Sequence, residues 1–248
     1  NRQESNYLRQ NNIPEDKICE IRGFVGIDYL MSQIQSHPKN QNKLREDLYN
    51  RYQLEPTRQT ILFITNKAGF HKKLMANHNQ TLNEYNMIEN CLKKYSEKTN
   101  AFIIIKMKPT GTLEQSVRKY RNRKADPPNM KIISGYDLIY PYYGADLIII
   151  QGYSTSYLEC LYLNKKVIVV QLLLPQQDYL RIDKYDGLYQ ARTLEQLTRF
   201  LEQNSKGSQP NEKYKEHSKN YLQEHLGQPI ENVSNRILRE IEMQQQQT

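Results

Sequence analysis

The sequence has no tryptophan, only 3 cysteines and no long apolar run. A membrane-spanning helix needs about 18 consecutive apolar residues, so we expect none here. Cys19, Cys91 and Cys160 have no metal-ligand spacing and cannot all pair with one another, which favours a reducing compartment and packing roles. No secretory signal is visible at the start. We therefore expect a cytoplasmic location, with peripheral contact at a membrane as an open alternative.

Several motifs that would identify a chemistry are also missing. No G-x-x-x-x-G-K-[ST] occurs, which excludes a Walker A loop, and no G-x-G-x-x-G occurs, which disfavours a nicotinamide dinucleotide. Ser154 stands in Gly-Tyr-Ser-Thr-Ser rather than G-x-S-x-G, so hydrolase chemistry is disfavoured. The 5 histidines form no metal pattern, and only His71 falls near the site predicted below. No acid/base pair has a diagnostic spacing, so we name no catalytic residue and no metal ligand.

What the chain does have is positive charge, with a formal net charge of +8, a pI near 9.2 and a mean hydropathy of −0.84 over 248 residues. Such a balance fits nucleic acid, anionic lipid or phosphorylated substrates as partners. Solvated lysines also explain the charge, and we take that as the default interpretation. We expect no nucleic-acid partner. The first residue is Asn1 rather than Met, which leaves open that the chain is part of a longer protein.

From Thr60 onward, five or six short apolar runs alternate with helical segments. This alternation predicts an α/β fold, a doubly wound parallel sheet of the Rossmann-like kind, followed by terminal helices. We predict the tail of an N-terminal α/β domain at 1–36, a linker with a helix (41–52) at 37–58, a nucleotide-binding domain at 59–243 and a disordered tail at 244–248. Thr81 and Glu84 have the spacing of a helix capping box.

The stretch from Asp146 to Gln171, DLIIIQGYSTSYLECLYLNKKVIVVQ, carries the most information. Two apolar runs rich in β-branched residues flank a polar loop and a helical segment, which predicts one βαβ unit. Ligands of such sheets bind beyond the carboxyl ends of the strands. The loop there can offer backbone N–H groups, hydroxyls and a helix N-terminus to an anion.

Two earlier strand ends should lie at the same edge of the sheet. They carry Lys67, after the first strand, and Lys106 and Lys108, after the second. The loop and the following helix contribute Gly152, Tyr153, Ser154, Thr155, Ser156 and Glu159. Cations, hydroxyls and exposed backbone in one crevice suit a phosphate ester or diphosphate, and Glu159 can accept hydrogen bonds from a ribose diol.

Each of these residues also has a purely structural interpretation. Any one of the lysines is more often a solvent-exposed loop residue than a ligand. Ser154, Thr155 and Ser156 have the composition of a helix cap. A carboxylate such as Glu159 in the first turns of a helix is favoured by the helix dipole.

Three segments resemble a known family. The stretch LIIIQGYSTSYLECLYLNKKVIVV is similar to the donor-binding motif of GT-B glycosyltransferases, above all the CDP-glycerol glycerophosphotransferases and capsule-polysaccharide transferases. The family's K-x-H-P after a strand appears as Lys106-Met107-Lys108-Pro109. The opening NNIPEDKICEIRGFVGIDYL resembles the segment that closes the first domain, which nucleotide-sugar 2-epimerases share.

The resemblance implies a C-terminal donor-binding half preceded by the end of an N-terminal domain. It implies a transferase that moves a sugar or polyol phosphate from CDP-glycerol or an NDP-sugar to a surface-polymer or glycan acceptor. The donor is then a substrate, and no separate cofactor is expected. Lys108 replaces the family's His, which keeps a cation and loses a proton-transfer group. A nucleotide-sugar 2-epimerase and a non-catalytic basic binding module remain alternatives.

Overall fold

The computed structural model describes residues 25–36, 41–65, 75–107, 128–133, 139–152, 154–173, 182–204, 210–227 and 233–246. Within them six strands form one parallel sheet. The strands are β1 (Thr60–Ile64), β2 (Phe102–Lys106), β3 (Met130–Ile133), β4 (Leu147–Gln151), β5 (Val167–Val170) and β6 (Tyr189–Ala191). The predicted doubly wound α/β fold is confirmed.

The strand order across the sheet is β3-β2-β1-β4-β5-β6. After β1, the strands β2 and β3 are added on one side of it. The chain then crosses to the other side of β1, where β4, β5 and β6 are added in turn. The order therefore reverses between β1 and β4, where Ile64 pairs with Ile150. In open α/β sheets this reversal opens a crevice beyond the carboxyl ends of the two strands, where ligands bind.

Eight helices are found in the described residues. They are α1 (Val25–Ser36), α2 (Gln41–Tyr52), α3 (Met75–Thr99), α4 (Ile139–Gly144), α5 (Ser156–Tyr162), α6 (Leu194–Gln203), α7 (Glu212–Leu226) and α8 (Val233–Gln246). A 3₁₀ turn (Ile182–Lys184) precedes β6.

The sheet is covered on both faces because alternate residues of each strand point to opposite sides. Leu62 and Ile64 join a core with residues of α1, α2, α4, α5 and α7. Ile61 and Phe63 join the other core, with residues of α3 and α6. All five residues of β1, β2 and β4 are buried, as expected for central strands covered on both faces.

Local sequence explains several helix ends. The Thr193 hydroxyl accepts a hydrogen bond from the Gln196 N–H at 3.2 Å and begins α6. The Asn211 side chain does the same for α7, accepting from the Tyr214 N–H at 2.8 Å. Gly227 ends α7 with a φ of 71°, a left-handed value that glycine adopts without steric cost.

The structure corrects two details of the sequence interpretation. α3 begins at Met75, so Thr81 and Glu84 lie inside the helix and form no capping box. α8 continues to Gln246, so residues 244–246 are helical and not a disordered tail. The helix predicted within the linker is present at 41–52, and its Leu44 and Leu48 are buried in the core. The proposed domain boundaries stay a prediction.

Candidate functional site

The loop after β4 leaves the sheet at the point where the strand order reverses. Gly152 has a φ of 61°, a conformation that side chains with a Cβ rarely adopt. Its N–H donates to the Val170 carbonyl at 2.7 Å, which fixes the start of the loop against β5. This turn carries the chain from the end of β4 over the sheet edge to the first residue of α5, Ser156.

The loop hydroxyls do little capping. Thr155 occupies the N-cap position of α5 with helical dihedrals (φ −60°, ψ −21°), and its side chain makes no capping hydrogen bond. The buried Ser154 hydroxyl accepts from the Ser156 N–H at the long distance of 3.4 Å. A capping role therefore does not account for the hydroxyl of Thr155, which is exposed, and accounts only weakly for that of Ser154.

Lys106 ends β2 at the same edge as this loop. Ile64 of β1 pairs with Lys106 on one side and with Ile150 on the other, so the three residues form one row across the sheet. Two strand spacings separate Lys106 from Ile150, about 10 Å in all. The Lys106 side chain is only 4% exposed, and its ammonium donates to the Met107 carbonyl at 3.1 Å. It is therefore not the solvent-exposed loop lysine of the structural interpretation.

Thr65, which follows β1 directly, joins the end of β1 to the end of β2. Its N–H donates to the Lys106 carbonyl at 3.1 Å, and its buried hydroxyl lies 3.3 Å from the same oxygen. Four residues of the predicted site region lie outside the described residues, and their placement stays a prediction: Lys67, His71, Lys108 and Tyr153.

Glu159 lies one turn into α5 and is held by a tyrosine. The Tyr142 hydroxyl donates to Glu159 Oε2 at 2.6 Å. Burial raises the pKa of the Glu159 carboxyl, and the Tyr142 hydrogen bond opposes that rise. Tyr142 is itself fully buried and its pKa is raised well above 10 by burial, so it remains a neutral donor. The carboxylate is thus oriented by α4, a contact with no signal in the sequence.

A second carboxylate that the sequence did not single out for this edge is Glu84 of α3. Its side chain is fully buried and accepts hydrogen bonds from Gln151 at the end of β4 and from the backbone after β5. Sequence inspection assigns a Glu at this spacing from Thr81 to a helix cap. Only the three-dimensional arrangement reveals that it faces the sheet edge.

The opposite edge of the sheet has a different character. Asp146, before β4, accepts from the Thr60 N–H at 2.8 Å and pairs with Arg45 at 2.8 Å, as expected of a residue that packs at the start of its strand. A groove of about 430 Å³ beside this pair is lined by Asn42, Arg45, Glu46, Tyr49, Asn50 and Pro56. It lies away from the predicted phosphate-binding loop at residues 152–156, which we call the phosphate loop.

Two absences apply to the described ranges only. They contain no group of three or more His, Cys, Asp or Glu side chains arranged to hold a metal ion. None of their helices combines the length and apolarity needed to cross a bilayer.

Comparison with solved structures finds several proteins whose folds are similar to that of this chain. The UDP-GlcNAc 2-epimerase from Neisseria meningitidis, bound to UDP-GlcNAc, aligns over 96% of this chain with a TM-score of 0.53 and 14% identity. The epimerase from Methanocaldococcus jannaschii, in complex with UDP-GlcNAc and UDP, aligns over 86% with a TM-score of 0.53 and 16% identity. The spinosyn rhamnosyltransferase SpnG aligns over 75% with a TM-score of 0.50 and 14% identity.

At these identities the likeness concerns the fold. The chain spans 58%, 56% and 45% of the lengths of the three proteins, respectively. No protein-family model matches the chain, and no curated protein matches it in sequence. The resemblance to the GT-B fold, drawn above from three motifs, is confirmed at the level of the fold.

Proposed function

We propose that this chain is the donor-binding half of a transferase that uses a nucleotide-activated sugar or polyol phosphate, CDP-glycerol or an NDP-sugar. One observation carries the proposal. The loop that begins at Gly152 leaves β4 at the switch point of a β3-β2-β1-β4-β5-β6 sheet, and its Thr155 hydroxyl is not used to cap α5. Loops at such switch points are where α/β sheets of this order bind nucleotides.

Different residues at this edge of the sheet would bind different parts of the donor. Hydroxyls of residues 152–156, and those of their backbone N–H groups that make no hydrogen bond within the fold, would bind the phosphoryl oxygens. The Lys106 ammonium would add positive charge from the end of β2. The Glu159 carboxylate, oriented by Tyr142, would accept hydrogen bonds from the ribose hydroxyls. Lys67, Lys108 and Tyr153 belong to the same proposed set.

The contribution of this half to the reaction is electrostatic. Negative charge grows on the departing nucleotide as its bond to the sugar or polyol phosphate breaks, and donors fixed in advance around the phosphates stabilise that charge. The group would pass to a glycan or polyol-phosphate acceptor of a surface polymer. The donor-binding residues named above supply neither the general base nor the acceptor site.

Titration calorimetry with UDP, CDP, UDP-GlcNAc and CDP-glycerol tests the proposal. We expect micromolar to millimolar binding of the diphosphates and weaker binding of uridine and cytidine, since the phosphates carry the recognition. Ligand at about 100 times its dissociation constant should also add about 2.7 kcal/mol to the unfolding free energy. Nucleosides that bind as tightly as diphosphates would contradict the assignment of the loop.

A nucleotide-sugar 2-epimerase is the second candidate, favoured by the alignment of 96% of this chain with an epimerase. Incubation with UDP-GlcNAc followed by NMR distinguishes the two, because an epimerase yields the 2-epimer without any acceptor. A basic module that binds anions without catalysis would instead show salt-dependent binding to RNA or anionic vesicles, with no preference for nucleotides.

A further inference from the structure

The carboxylate of Glu84 stands at the centre of the carboxyl edge of the sheet. Its side chain is 0% exposed. Oε1 accepts hydrogen bonds from two successive backbone N–H groups, those of Leu172 and Leu173, the second at 3.2 Å. Oε2 accepts from the Gln151 amide at 3.1 Å. One side chain therefore receives three hydrogen bonds from two different segments of the chain.

The groups that face Glu84 are neutral dipoles. Burial raises the pKa of its carboxyl, and the three hydrogen bonds, from the two backbone N–H groups and from Gln151, oppose that rise. A buried carboxylate without hydrogen bonds is strongly disfavoured, whereas a carboxylate that accepts three is tolerated. A carboxylate also offers about four acceptor sites on two oxygens, so it can bind adjacent backbone N–H groups and an amide at once.

The two segments that Glu84 joins border the proposed phosphate loop. Gln151 is the last residue of β4 and directly precedes Gly152. Leu172 and Leu173 follow Gln171, whose N–H continues the sheet by donating to the Ala191 carbonyl at 2.9 Å. The Gln151 amide also donates to the Thr81 carbonyl at 2.8 Å, so the end of β4 is fastened to α3 at two points.

We infer that Glu84 is a positioning residue: through Gln151 and the N–H groups of Leu172 and Leu173 it fixes the phosphate loop in the geometry that binds the donor diphosphate. The inference rests on the proposed function for the identity of the ligand. Glu84 acts through its neighbours and does not itself touch the phosphates. Its loss should therefore loosen the loop and weaken diphosphate binding in a protein that is still folded.

The test compares Glu84→Gln with Tyr95→Phe. Tyr95 lies on the same helix and is also buried, but its hydroxyl bonds to Gln59 at 2.9 Å and to the Leu201 carbonyl at 3.3 Å, far from the phosphate loop. Both substitutions remove buried hydrogen bonds and should lower the unfolding temperature. Only Glu84→Gln should raise the Kd for UDP, by about tenfold, which corresponds to about 1.4 kcal/mol. Amide hydrogen exchange at Leu172 and Leu173 should accelerate in Glu84→Gln alone.

Gln151→Met tests the same link if Glu84→Gln does not fold, because it removes the amide donor and keeps the side-chain volume. It should also raise the Kd for UDP, by a smaller factor, since the two backbone hydrogen bonds of Glu84 remain. Wild-type protein that binds UDP with variants of unchanged Kd would overturn the positioning role and leave the proposed function standing. Wild-type protein that binds no nucleotide would overturn both.

Discussion

Tyr142 donates a hydrogen bond of 2.6 Å to Glu159, from the short helix before β4 to the helix after it. The two residues flank the whole of β4, so this contact sets the direction of α5 relative to the strand that it follows. It also leaves Glu159 with one carboxylate oxygen committed to a protein donor.

Removal of the Tyr142 hydroxyl should therefore weaken ribose recognition. In Tyr142→Phe we expect the Kd for UDP to rise about three- to tenfold, while the Kd for 2′,3′-dideoxy-UDP stays unchanged, because the lost hydrogen bond orients the carboxylate that binds the diol. Tyr143→Phe is the matched control, since it removes a hydroxyl from the same helix without touching Glu159. Equal effects on both nucleotides would argue that Glu159 does not bind the ribose.

Substitution of the loop hydroxyls should separate binding from stability. Ser154→Ala combined with Thr155→Ala should raise the Kd for UDP and CDP at least about tenfold, or about 1.4 kcal/mol. The unfolding temperature should change little, because Thr155 makes no capping bond and Ser154 only a long one. Calorimetric titration and thermal unfolding measure the two effects.

Thr193→Ala provides the opposite pattern as a control. Its hydroxyl caps α6, so its loss should lower the unfolding free energy by about 1 kcal/mol without any change in nucleotide affinity. If the loop variant resembled Thr193→Ala in both measurements, its hydroxyls would be structural.

Lys106→Met should weaken the binding of the nucleotide's phosphates and leave the binding of its base unchanged. Its buried ammonium lies at the strand end next to β1, so we expect the Kd to rise about tenfold or more for UDP and hardly at all for uridine. Lys131→Met is the comparison, since this exposed lysine of β3 lies over the Tyr52 ring. A uniform loss for nucleoside and nucleotide would assign Lys106 to packing.

The stability of the protein should depend on Lys165 at alkaline pH. Burial, and then the charge of Arg45, lower the pKa of Lys165 from 10.5 to about 8. Between these two values the unfolded chain holds the proton that the folded protein has released, so the unfolding free energy rises with pH in that window. Relative to Lys165→Met, wild type should gain about 1–3 kcal/mol from pH 8 to 10.5. Urea denaturation at several pH values measures this difference, and parallel curves for the two proteins would contradict the lowered pKa.

The pattern of apolar and polar residues predicted the strands and helices well, because these elements are formed by interactions between residues close in sequence. The apolar runs of β4 and β5 are strands, and the helix at 41–52 has its predicted bounds. The resemblance of LIIIQGYSTSYLECLYLNKKVIVV to a donor-binding motif anticipated the fold that the structural comparisons confirm.

What the sequence could not reveal are contacts between distant segments. Glu84 and Gln151 are 67 positions apart, and nothing in the polar pattern of α3 shows that this glutamate faces the sheet rather than solvent. The register that aligns Lys106 with Ile150 likewise depends on β1 lying between their strands. A motif predicts candidate site residues, whereas contacts such as that between Glu84 and Gln151 become visible only in the folded chain.

The central position of β1 also affects how the protein is made. Thr60, at the start of β1, is joined to Asp146, which precedes β4, across 86 positions of sequence. A nascent chain emerging from the ribosome can pair β1 with β2 early, but the other side of β1 has no partner until β4 has been synthesised. Until then an apolar strand edge remains open to other chains, so the nascent chain is exposed to aggregation for as long as β4 has not emerged.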